Sequence, residues 1–459
     1  MNRDSIDFGK DNITPLFCRI LFPTLIAMIC IGIMTMIDGI FVGRYIGSDA
    51  LAAVNLFAPL WALMNGIGMM LGMGCSVVSS IHLAKGKKKA ININLTQSML
   101  FGFMISFLTA LFINIFDEQT ARFLGASDVL IPYLLLYQKW VSWGIIGILL
   151  GQISVLLIRL DGSPKYASVC SALPAIINAI LDYVFLFHFH WGIEGIGIAT
   201  CIGCLSGTLL SLLYFLFLYK DIHFYRLKVS LKSLMLFVRN IGYQIKIGFP
   251  AFLNDIGATL CVFVGNIIYM HYLKEDGVAA YSTISYITIL FFMMATGIVD
   301  TAQPIISYNY GTGNKLRIKK AFRVTIFTSV IFGILSFLIV FLFKKPLVGL
   351  FLVPDCNAFA MAVKGLPLMS TCFIFFFLDV VLIGYFQSIK EVKKASILSF
   401  LKGIVFIPAC FIIVPYLLGE IGLWTSVCFS DFLTFCACIW MYKKSTLNFP
   451  NEAVNSSNA

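Results

Sequence analysis

The chain has 459 residues, of which 59% are hydrophobic and 12% charged. A soluble globular domain carries about 25% charged residues, so the composition excludes an ordinary soluble protein and implies an all-α polytopic membrane protein. The formal charge of +11 does not point to nucleic acid, because the basic residues cluster in short segments between apolar runs.

A membrane-spanning helix needs ~20 apolar residues. Divided at their charged turns, the apolar runs predict twelve spans: 15–41, 52–83, 93–115, 129–157, 166–188, 193–219, 247–272, 279–306, 322–343, 362–387, 395–415 and 421–441. The alternation of a β-barrel strand is absent and each run is too long for one. The first run carries Asp38 near its far end and no small-residue cleavage site follows, so it reads as a retained span and not a signal peptide.

Lysine and arginine set the expected orientation. With both termini in the cytoplasm, 26 of them fall on the inner side and 7 on the outer, as the positive-inside rule requires. The inner set includes the loop Lys85 to Lys89, which reads as topogenic, together with Arg159 and Lys402. The expected location is a bacterial cytoplasmic membrane.

The longest inner connection, 220–246, divides the chain into two halves that resemble each other. RLDGSPKYASVCSALPAIINAILDYVF is echoed by YFQSIKEVKKASILSFLKGIVFIPACF, and GIEGIGIATCIGCLSG by GEIGLWTSVCFSDFL. An even number of spans per half gives both the same orientation, hence two parallel six-helix lobes about an axis along the membrane normal, with a cavity between them. The expected organisation is an N-terminal lobe over 1–219, a cytoplasmic inter-lobe loop over 220–246, a C-terminal lobe over 247–444 and a disordered cytoplasmic tail over 445–459.

Within this apolar frame a few polar residues stand out. Asn178 and Asp182 are four apart on the fifth span, so they share one helix face. A carboxylate in hydrocarbon is expensive and usually faces a bundle interior or a wet cavity. At ~1.5 Å per residue, Asp38 lies ~9 Å, Asp182 ~12 Å and Thr200 ~13 Å below the outer ends of spans one, five and six. Two carboxylates, an amide and a hydroxyl from one half thus reach similar depth. Hard oxygen ligands suit a small hard cation, and paired carboxylates can share a proton, so H+ or Na+ is the candidate occupant. The plainer alternative for Asp38 is a local contact with Arg44. Pro23 and Pro174 lie on spans one and five, where they loosen the helical ladder and mark candidate hinges. Asp255, Asp300 and Asp379 are possible second-lobe coupling or substrate acids, and Asp431 is a fourth acid there. Met64, Met69, Phe291, Met294 and Gln303 on spans two and eight are candidates for cleft lining, since soft side chains adapt to varied ligands.

Other features carry less. Cys201 and Cys204 form a CxxC inside a span beside glycines and read as packing residues. Gly68 and Gly72 form a GxxxG that reads as close packing within the lobe, and the chain is expected to be a monomer. The five histidines form no HExxH, and no GxxxxGK[ST] or GxSxG occurs. ATP-driven transport and hydrolase chemistry therefore have no motif, and the chain is expected to be neither an enzyme nor in need of a cofactor.

These segments resemble those of the MATE family, the multidrug and toxic compound extrusion exporters, over nearly the whole chain. MIDGIFVGRYIGSDALAAVNLFAP is similar to that family's first-span signature, with Asp38 at its acidic position and Pro23 at the earlier proline. NAILD is similar to its span-five signature, GIGIAT to its span-six segment, and AQPIISYNYGTGNKLRIKKAF, with Gln303 and Pro304, to the segment after span eight. The resemblance implies that Asp38, Asn178, Asp182 and Thr200 belong to a cation site in the first lobe. The chain departs from the family in having Ser154 and Val155 before Arg159, and the second-half positions echoing Asn178 and Asp182 fall near Phe406 and Cys410. Coupling is therefore expected in the first lobe.

The leading expectation is a secondary active exporter of organic, cationic amphipathic compounds across the lipid bilayer, driven by inward movement of protons or sodium. The alternative is a flippase for a lipid-linked saccharide, which favours a basic cleft. Embedded enzyme and receptor readings lack a nucleophile, a metal constellation or a soluble domain.

Overall fold

The computed structural model describes residues 6–41, 45–228, 230–354 and 356–444, with the side chains of 38–40 and 48–49 outside the description. Arg44 and the tail 445–459 therefore lie outside the described residues, and Asp38 is placed by its backbone alone.

The described chain is helical throughout, in the order α1 (Ile13–Phe41), α2 (Ser48–Ala84), α3 (Lys88–Ile115), the short α4 (Asp117–Phe123), α5 (Ile131–Leu160), α6 (Pro164–Phe187), α7 (Gly192–Leu213), α8 (Leu231–Gly311), α9 (Lys315–Gly349), α10 (Asn357–Ser370), α11 (Phe373–Ser388), α12 (Val392–Phe400) and α13 (Ile407–Lys443). π-Helical turns continue α7 over Tyr214–Leu218 and join α12 to α13 over Leu401–Phe406. Among the described residues nine helical stretches are long and apolar enough to cross a membrane, and α10 with α11, bent by 47°, makes a tenth.

Two of these stretches fold back on themselves. In α8 the helix breaks at Lys274 (φ 56°, ψ −152°). Beyond the break Tyr281 stacks on Tyr269 with ring centroids 4.4 Å apart, and its hydroxyl donates to the Cys261 carbonyl at 3.0 Å. Contacts between residues on either side of the break require an antiparallel hairpin. The stretch from α12 through α13 turns at Gly419 (φ 61°, ψ −138°), a conformation that glycine adopts without steric cost. Phe411 and Trp424 on its two arms both reach Tyr269, at 6.5 and 4.9 Å. Twelve crossing segments result, six before and six after the Tyr219–Ser230 connection, in agreement with the sequence expectation.

That connection is shorter than expected. The 220–246 segment is helical from Leu231 onward, capped by Ser230, whose hydroxyl accepts the Ser233 N–H at 3.2 Å. Leu231 to Leu236 (LKSLML) is rich in good helix formers, so local propensity extends the helix past the bilayer.

The two halves meet closely at the end that carries the basic loops. Gly248 of α8 sits against α2 so tightly that a Cβ there would lie 1.7 Å from the Met70 carbonyl oxygen, and one at Gly74 would lie 2.0 Å from the Gln244 carbonyl oxygen. Two helices touch backbone to backbone here, which only glycine permits. Hydrogen bonds follow the same seam: Ser76 to Gln303 at 2.7 Å, Asn240 to Gln97 at 3.1 Å, and Ser98 to Gln244. The segment before α1 adds to the closure, since Arg317 donates to the Phe8 and Asp11 carbonyls at 2.9 and 2.7 Å. By contrast Gly68 and Gly72 pack on Leu149 and Ile153 of α5, inside their own half.

Candidate functional site

The first-half cluster is assembled by α6 and α7. Gly203 and Gly207 let α7 press against α6: a Cβ at Gly203 would lie 2.8 Å from the Pro174 carbonyl oxygen and 2.9 Å from Asn178 Cβ, and one at Gly207 2.4 Å from Pro174 Cγ. This approach brings Thr200 to the Asn178–Asp182 face. Asn178 Nδ2 donates to Asp182 Oδ2 at 3.1 Å and to Thr200 Oγ1 at 3.4 Å, while the Thr200 hydroxyl donates to the Ile196 carbonyl at 3.0 Å. Asp182 is fully buried and Asn178 is 9% exposed. The helix of Asp38 lies alongside, since Phe41 of α1 packs on Phe187 of α6 at 5.9 Å. The cluster offers carboxylate, amide and hydroxyl oxygens, the carboxylate and amide buried and the hydroxyl half-buried, a donor set for a proton or a small hard cation.

Pro23 and Pro174 both fall inside helices, α1 and α6. Pro174 is also the point against which Gly207 is packed, so any bend of α6 there moves α7 with it.

A second polar element crosses between the halves. Gln152 Nε2 of α5 donates to Asn65 Oδ1 of α2 at 2.8 Å, and Asn65 Nδ2 donates to Asp255 Oδ2 of α8 at 2.6 Å. Asp255 is half-buried, so a carboxylate reaches the junction of the halves with part of its surface open.

Closer to the basic end, Arg159 Nη1 of α5 meets Asp300 Oδ2 of α8 at 2.8 Å, with the side chains 0% and 5% exposed. In the second half, Lys402 lies between Asp379 and Asp431, at 3.4 and 3.3 Å. Asp300 and Asp379 are thus each held by a buried cation, Arg159 and Lys402 respectively. The same pairs correct the reading of Arg159 and Lys402 as loop charges, for both are buried in protein. The available signal was position: each basic residue sits inside an apolar run, in ISVLLIRL and LSFLKGIVF, where a cation needs a counter-ion.

The residues expected to line a cleft differ in exposure. Met64 is 2%, Phe291 3% and Gln303 1% exposed. Phe291 packs on Phe373 at 4.7 Å, and Gln303 is held by Ser76 and Ser307. Gln303 is thus part of the closed seam, Phe291 packs within the second half and Met64 is buried, whereas Met69 and Met294 remain half-buried.

Comparison with known proteins agrees with this architecture. A sequence model of the MatE family matches the chain twice, over residues 23–184 and 250–412, one copy in each half. Both matches begin on a proline, Pro23 and Pro250. The chain is 26% identical over 433 residues to the multidrug export protein MepA of Staphylococcus saprophyticus, covering 94% of this chain and 93% of that protein. It is 25% identical over 407 residues to the multidrug export protein MepA of Staphylococcus aureus strain MRSA252, covering 88% of each. Its fold matches an outward-facing conformation of a multidrug resistance MATE family transporter of the MOP superfamily with a TM-score of 0.87 at 18% identity, over 95% of this chain and 97% of that one. It also matches a MOP superfamily transporter from Pyrococcus furiosus with a TM-score of 0.86 at 19% identity, over 95% and 97% of the two chains.

Proposed function

The chain belongs to the MatE family, and from that premise we propose that it is a cell-membrane multidrug exporter that moves organic, cationic amphipathic compounds outward against protons or sodium. The carrying observation is the Asn178–Asp182–Thr200 cluster, a fully buried carboxylate that accepts from an amide which also reaches a half-buried hydroxyl. Asp38 is proposed as its fourth member, from its place on the end of α1 that packs on α6.

The two lobes, 1–219 and 247–444, act as the moving bodies. The distribution of Lys and Arg supports a cytoplasmic location for both termini; on that reading the closed basic end is the cytoplasmic mouth and this conformation faces outward. A coupling cation shifts that equilibrium only by binding one lobe shape more tightly than the other. Neutralising Asp182 removes the cost of a buried charge and so favours the shape in which α7 presses on α6 and Asp182 is fully buried, and Pro174 and Pro23 provide the weak points where α6 and α1 bend. Asp255 is proposed as the acid that meets a cationic substrate at the lobe junction. A lipid-linked saccharide is disfavoured as cargo, because Asp255 makes the junction acidic and Arg159 is neutralised by Asp300.

The test is export by cells and everted vesicles carrying the chain against a vector control. Asp182→Asn is expected to abolish pH- or sodium-dependent export at normal membrane levels. Wild-type rates in that variant over the same pH and salt range would refute the coupling role.

A further inference from the structure

The second half buries three charged side chains in one place. Lys402, in the π-helical turn Leu401–Phe406, holds its ammonium 3.4 Å from Asp379 Oδ2 of α11 and 3.3 Å from Asp431 Oδ1 of α13. Lys402 is 5%, Asp379 0% and Asp431 1% exposed. The Phe376 ring stands 4.4 Å from the ammonium. The remaining oxygens, Asp379 Oδ1 and Asp431 Oδ2, are buried and have no hydrogen-bond partner among the described residues. The other titratable groups around the centre are the thiols of Cys261, Cys372, Cys410, Cys428 and Cys438, which are neutral at physiological pH when unperturbed.

Two carboxylates against one ammonium leave this centre short of one positive charge. Buried unpaired charge is costly, and carboxylates sharing a site retain a proton between them. A proton meets the deficit without needing room. A sodium ion or an organic ammonium does not, because Lys402 already stands between the two acids. The turn that carries Lys402 is itself fixed, for a Cβ on the next residue, Gly403, would lie 2.5 Å from Gly257 Cα. The first-half cluster is built differently, with an amide and a hydroxyl beside its acid.

We propose that Asp379 and Asp431 form a second proton-binding site, in which Lys402 is a resident cation that shuts out sodium and organic cations. The site stands independently of the first-half coupling cluster, and its test is run with that cluster disabled. Purified full-length D38N/D182N protein is examined by infrared spectroscopy for the carbonyl stretch of a protonated carboxylic acid at neutral pH. The band is expected in this background and is expected to disappear on adding D379N, and equally on adding D431N, since either change leaves one acid balanced by Lys402. In a second arm, melting temperatures are compared in sodium chloride and choline chloride. D38N/D182N is expected to show no sodium-dependent shift, and adding K402M is expected to create a sodium-dependent rise. Absence of any band that depends on Asp379 and Asp431 would overturn the proposal. So would a sodium-dependent rise in D38N/D182N that D379N removes, or a folded K402M protein with no sodium response. Should K402M not fold, the infrared arm decides.

Discussion

The Arg159–Asp300 pair makes a strong prediction about conformational balance. It is buried, 2.8 Å long, and joins α5 of one half to α8 of the other. Replacing Arg159 by Gln leaves Asp300 buried at the closed seam without its counter-ion. Breaking a buried pair by removing one partner costs about 3–5 kcal/mol. The transporter has an escape that a soluble core lacks, since parting the halves at the basic end hydrates Asp300. The penalty then appears as a shift of the open–closed equilibrium and not as unfolding. Moving a two-state balance from 99:1 to 1:99 takes about 5.5 kcal/mol, so roughly half of that brings it to parity, and the R159Q penalty exceeds that half. Spin labels at the exposed positions Lys87 and Lys319, one on each half at the basic end, read the change as a second, longer distance. The double variant R159Q/D300N removes both charges and is expected to restore the closed distance, because contacting residues couple by about 0.5–3 kcal/mol. An unchanged distance distribution in R159Q, or a double variant as open as the single one, would refute this reasoning.

The remaining predictions concern the seam, the junction and the first-half cluster. Gly248→Ala places a methyl group 1.7 Å from the Met70 carbonyl oxygen, so it should prop the halves apart at the basic end and slow export; a wild-type label distance and export rate would show that α2 has room to shift. Asp255→Asn should weaken export of cationic compounds by about tenfold, the loss of one charge-assisted contact of roughly 1.5 kcal/mol, while sparing neutral ones; equal effects on both would place substrate elsewhere. Asp38→Asn and Asp182→Asn should each impair coupled transport, with combined losses smaller than the sum, since residues sharing one cation do not act additively; additive losses would mean two separate sites.

Several features follow from the sequence alone because they depend on local repeat geometry. Twelve spans, the likeness of the halves and the shared face of Asn178 and Asp182 need only the length of an apolar run and the period of a helix. Depth is equally local, at ~1.5 Å per residue, which is why Thr200 could be set level with Asp182 before any contact was known. Rotation about each helix axis and the choice of neighbour are not local. They are decided where backbones can come close, at Gly74 against α8, Gly248 against α2, and Gly203 and Gly207 against Pro174. Only that packing pairs Arg159 with Asp300, 141 residues away, and Asn65 with Asp255, 190 residues away. It likewise turns Lys402 from a basic residue counted with the loops into the buried partner of Asp379 and Asp431. In an apolar helix a charge announces that a partner exists, but its identity is fixed by which helix faces meet, and that is a property of the tertiary fold.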